Sequence, residues 1–74
     1  MYETKDMALS AVLMLKNIPM VDKKVSENGL VYFIFENESE CAKLAEDFYQ
    51  NKIEVNAYKY YQSLRYMKRM IFNR

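Results

Sequence analysis

The single glycine of this chain is the feature that most limits its fold. Gly29 follows Asn28 in the run MVDKKVSENGLVYFIFE, where β-branched and aromatic residues flank an Asn-Gly pair, the signature of a β-hairpin. A two-residue turn would set Lys24 opposite Phe33 and Asp22 opposite Phe35. A three-residue loop with Gly29 in the left-handed conformation instead pairs Val25 with Val31 and Val21 with Phe35. Apolar residues facing apolar residues favour the longer loop. The expected sheet therefore packs Val21, Val25, Val31, Phe33 and Phe35 against helices. Leu30, Tyr32 and Ile34 fall on the opposite face, so the second strand is apolar on both sides and calls for an extra strand or a partner chain.

The segments around the hairpin read as helices. MALSAVLML is too long for an ordinary strand, and Thr4 and Asp6 before it are good N-cap types, which predicts a helix from about Asp6 to Lys16. It is apolar almost all round, as a central or partner-covered helix is. Tyr2 to Thr4 has room for a short edge strand that adds to the hairpin. Asn17 and Pro19 punctuate the first helix. In NESECAKLAEDFYQN, Asn37 and Glu40 form an N-cap with an acid three residues on, Cys41, Leu44, Ala45 and Phe48 share one face, and Asn51 is a stop. Asn56 caps a last helix reaching about Phe72, with Ala57, Tyr60, Leu64, Met67 and Ile71 inward and Tyr61 and Lys68 at the margin. The expectation is one α+β domain over residues 1–74, ordered helix, β-hairpin, helix, helix, with the short N-terminal strand added. At 74 residues such a chain buries only roughly 60% of its unfolded surface, so its core must be efficient.

Composition removes most catalytic chemistry. There is no histidine to serve a Ser or Cys nucleophile or to complete a zinc quartet, and one glycine cannot build a phosphate-cradling loop. No catalytic residue, metal or cofactor is expected. Glu36, Glu38 and Glu40 alternate as cation ligands do, but they stand at a helix start, where the dipole stabilises acids. Cys41 lies on the apolar stripe of its helix and reads as a small core residue; one cysteine forms no internal disulfide, which fits a reducing, cytoplasmic setting. The nine residues of MALSAVLML are about half of a membrane span, and the acidic MYETKD before them, with no small-residue cleavage site, does not resemble a secretion signal.

A net charge of +1 conceals a segregation. Every acid lies before residue 55, and after it come Lys59, Arg65, Lys68, Arg69 and Arg74 without one. This asymmetry points to a polyanionic or acidic partner. A helical wheel places Tyr58, Gln62, Arg65, Tyr66 and Arg69 on the outer arc of the last helix, with Lys59 at its edge. Arg and Lys for phosphates beside Tyr for stacking are what nucleic-acid contact needs. Tyr and Arg are also enriched in protein interfaces, including those of homodimers, which the small size and the apolar first helix favour. Nucleic acid and a protein partner both fit these six residues; a membrane surface does not, because the core needs the helix's apolar face.

YETKDMALSAVLML, VYFIFENESE, LAEDFYQNKIEVNA and SLRYMKRMIF together resemble a family of small uncharacterised domains of about this length, found in bacteria, archaea and their viruses and mobile elements. Thr4, Asp6, Ala11, Leu13, Phe33, Phe35, Glu36, Phe48, Val55, Leu64, Lys68 and Ile71 carry the resemblance, which runs nearly end to end. It implies a small α+β domain with a phage or mobile-element origin, and it carries over no activity and adds no catalytic residue. Where the family often has an acid or serine before the last helix, this chain has Asn56, which keeps the capping chemistry. Lys68 falls within the matched pattern, which suggests an amine snorkelling from the core margin to Glu36 or Asp6.

Overall fold

The computed structural model describes residues 1–72, so Arg74 lies outside the described residues. Six elements follow in order: β1 (Tyr2–Thr4), α1 (Met7–Leu15), β2 (Met20–Val25), β3 (Val31–Phe35), α2 (Glu38–Tyr49) and α3 (Ala57–Phe72). The strands form one antiparallel sheet ordered β1-β3-β2. The doubly apolar strand is thus the central one, and β1 supplies the extra strand that its pattern called for.

The hairpin loop is the three-residue kind. Ser26 N–H donates to the Leu30 carbonyl at 2.8 Å, Gly29 N–H donates to the Ser26 carbonyl at 3.0 Å, and Gly29 has φ 83°, a conformation that favours glycine. Val25 pairs with Val31 as expected, but the register shifts between Met20 and Asp22, so Met20 and not Val21 stands opposite Phe35. The bulge turns the longer Met20 toward the core and leaves Val21 outside it. Val21 and Val25 are therefore exposed at 41% and 46%, whereas Val31, Phe33 and Phe35 are buried. On an edge strand, covering helices reach only part of each side chain.

All three helices serve one sheet face. Phe33 and Phe35 pack in a cluster with Leu9, Ala11 and Leu13 of α1, Cys41 and Ala45 of α2, and Met67 of α3. The central helix α1 touches both α2 and α3, α2 leans on β1, and α3 makes the larger contact with α1. Much of the apolar character of α1 is satisfied inside the chain, with Leu9 to Leu13 all buried and Met14 and Leu15 half-buried. On the other sheet face, Tyr32 and Ile34 are half-buried and the Lys24 ammonium pairs with Glu3 at 2.8 Å.

Asparagine does at the helix ends what glycine does in the hairpin. Asn17 and Asn51 take φ 64° and 61°, and each closes its helix with a paired Schellman geometry: Asn17 N–H to Met14 O with Ile18 N–H to Leu13 O, and Asn51 N–H to Phe48 O with Lys52 N–H to Asp47 O. At the N-termini, Asp6 accepts from Leu9 N–H, Asn37 from Glu40 N–H and Asn56 from Lys59 N–H. No helix among the described residues is long and apolar enough to cross a membrane.

Candidate functional site

α3 is fixed at three levels, and its outer side follows from them. The Asn56 side chain caps its first turn at 3.0 Å. At mid-helix Ser63 Oγ donates to the Ala11 carbonyl at 2.8 Å, a small polar residue meeting a small apolar one where the two helices approach closely. Near its end Lys23 Nζ, reaching across from β2, donates to the Met70 carbonyl at 2.8 Å, placing a cation at the negative end of the helix dipole. The inward residues are Tyr60, Ser63, Leu64, Met67, Met70 and Ile71, so the buried arc is turned toward Ser63 and Met70 and leaves Ala57 exposed.

Tyr58, Lys59, Gln62, Arg65, Tyr66 and Arg69 are all exposed, as the wheel expected. Tyr61, expected at the margin, is 52% exposed and lies with its ring 5.7 Å from the Arg65 guanidinium carbon, within range of a cation–π contact. Lys68 is also exposed. It does not pair with Glu36 or Asp6: among the described residues the ion pairs are Lys24 with Glu3 and the N-terminal amine with Glu38. Asp6 is engaged instead by the Tyr49 hydroxyl and the α1 N-terminus. Lys23, not Lys68, is the amine that works at the core margin.

The six residues do not form one flat patch. At about 100° per residue, Tyr58, Arg65 and Arg69 form a crest, while Lys59, Gln62 and Tyr66 lie to one side of it. That side borders an open groove of ≈ 480 Å³ whose opposite wall is Met14, Leu15 and Asn17 at the end of α1. The helical pattern of α3 alone places these side chains on the outside; the groove needs the parallel run of α1 and α3, in which Tyr60 meets Ala8 and Ser63 meets Ala11. Only the tertiary fold brings those two segments together.

The charge segregation has a spatial form. Within the described residues α3 carries Lys59, Arg65, Lys68 and Arg69 and no acid, and none of these cations is ion-paired. α2, across α1, carries Glu38, Glu40, Glu46 and Asp47 against Lys43. Burial pushes the Cys41 thiol up, with Glu40 adding to it, and its Sγ faces the Glu36 carbonyl at 3.3 Å. The hydrogen bond to Asp6, aided by burial, pushes the Tyr49 phenol up to about 12. Among the described residues no three Cys, Asp or Glu side chains gather as metal ligands would.

No curated protein and no solved structure matches this chain. A family model does, over residues 1–73, and its description is a domain of unknown function, DUF5659. The chain belongs to the DUF5659 family.

Proposed function

We propose that this chain is a small non-enzymatic accessory or regulatory module that binds nucleic acid through the outer side of α3. The observation that carries the reading is the set of four cations on an acid-free helix, none of them ion-paired among the described residues, interleaved with exposed Tyr58, Tyr61 and Tyr66. Free cations release counterions from phosphates, and tyrosine rings stack on bases without regard to sequence. The resemblance to small domains of phages and mobile elements supports a setting in which such a module acts on that element's nucleic acid, and the lone thiol fits a cytoplasmic one. Fluorescence anisotropy with labelled DNA and RNA at low salt tests the reading. Binding that weakens steeply as salt rises, and that Arg65→Ala with Arg69→Ala reduces at least about ten-fold, is the expected result. Salt-insensitive or absent binding by the unaltered protein rejects it.

A second reading, contact with a protein or with another copy of this chain as a homodimer, draws on the exposed aromatic rings of Tyr58, Tyr61, Tyr66 and Phe72 on the same helix. Light scattering across a salt series tests the homodimer. A strictly monomeric protein at high micromolar concentration rules out the homodimer.

A further inference from the structure

Resting on the nucleic-acid reading, we propose that α3 takes single-stranded rather than duplex nucleic acid, with one unpaired base seated in the groove between α1 and α3 against Tyr66. The first ground is shape. Candidate residues occupy both the crest and the groove side of α3. A duplex laid along the helix meets the crest residues Tyr58, Arg65 and Arg69 through its phosphates, but its convex surface does not enter a cleft between two packed helices. A flexible strand follows the crest with its backbone and turns a base inward.

The second ground is the groove's chemistry. Its ≈ 480 Å³ lies within the roughly 300–1,000 Å³ typical of small-ligand clefts. Met14 and Leu15 give it an apolar wall, Gln62 and Asn17 bring amides that donate to and accept from base edges, and Lys59 stands at its border where a flanking phosphate would lie. Tyr66 is 46% exposed: part of the side chain is held against the fold while the rest stays open for stacking. Apolar wall, aromatic plate, amides and one cation are the set that a nucleobase with its phosphate requires.

The third ground is ordering. The Arg65 guanidinium carbon lies 5.7 Å from the Tyr61 ring, a cation–π contact that biases one phosphate-binding group toward a single orientation before any ligand arrives and lowers the entropy lost on binding. A strand seated at Tyr66 therefore meets this oriented cation on the crest within one turn of the helix.

The test compares a labelled 15-nucleotide single strand with the same sequence as duplex, at low salt, for the unaltered protein and for Tyr66→Ala, Tyr66→Phe and Arg69→Ala, with circular dichroism as the check on folding. Single strand is expected to bind at least about ten-fold more tightly than duplex. Tyr66→Ala should weaken the single strand by about ten-fold and leave the duplex unchanged, and Tyr66→Phe should keep the affinity, since stacking needs the ring and not the hydroxyl. Arg69→Ala should weaken both forms. Duplex binding as tight as single strand, or Tyr66→Ala without effect on the single strand, overturns this inference while leaving the nucleic-acid reading standing. Failure of both forms to bind at low salt removes that reading and this inference with it.

Discussion

At the scale of single residues, backbone handedness accounts for the asparagines that end two helices. A chain with one glycine still ends two helices in left-handed residues, and Asn17 and Asn51 fill those positions because a short amide side chain tolerates them. Asn51 is exposed, so Asn51→Ala changes little besides that preference. It should cost about 1 kcal/mol in urea unfolding, and Asn51→Gly should not. Tyr49 gives a second residue-level expectation. Its phenol is hydrogen-bonded to Asp6 and titrates at about 12, above the ordinary value of about 10. A group whose folded value is raised stabilises the fold fully below its unfolded value and loses that contribution as pH rises through the folded one. The Tyr49–Asp6 contribution is therefore intact at pH 8 and fades between about pH 10 and 12. In ultraviolet titration Tyr49→Phe should remove the tyrosinate signal that appears last, and its urea midpoint should lie closer to that of the unaltered protein at pH 11 than at pH 8.

At the scale of elements, the sheet and the helix caps were legible in the sequence because each depends on local chemistry: an Asn-Gly turn, three asparagine or aspartate caps, and apolar spacing near 3.6. What was not legible depends on contacts between distant segments. The Val21 bulge answers to the need to turn Met20 onto the core opposite Phe35, which no local preference encodes. The inner arc of α3 turned toward Ser63 because α1 offers the Ala11 carbonyl there, and the groove beside the six candidate residues exists only through that docking. Lys23 was the least visible of all. In the strand pattern it faces the same side as Phe33, an unfavourable place for a lysine until the Met70 carbonyl at the end of α3 comes within 2.8 Å. This contact ties the edge strand to the last turns of α3. Lys23→Met keeps the aliphatic stem and removes only the amine, and it should lower stability by about 1 kcal/mol, with the urea midpoint shifted and the slope unchanged. An unshifted midpoint would mean that solvent serves that carbonyl equally well.

At the scale of the whole molecule, a net charge of +1 is the residue of two opposed flanks, acidic α2 and basic α3, held apart by α1. α1 contacts both flanks, and packed helices lie about 8–10 Å apart, so charges on the two outer sides are separated by more than one such spacing. That separation exceeds the Debye length of about 8 Å at physiological salt and falls inside the length of about 30 Å at 0.01 M. The acids of α2 should thus repel an oligonucleotide approaching α3 only when salt is low. Glu46→Gln combined with Asp47→Asn is expected to tighten binding about two- to three-fold at 0.01 M salt, chiefly through faster association, and to leave it unchanged at 0.15 M. Arg65→Ala, by contrast, removes one of the contacts proposed above and should weaken binding at both. Anisotropy titrations of the two variants at the two salt concentrations decide the matter. An equal gain at both salts would place the strand against α2 itself, and no gain at 0.01 M would mean that the segregation of charge has no bearing on how this molecule meets a polyanion.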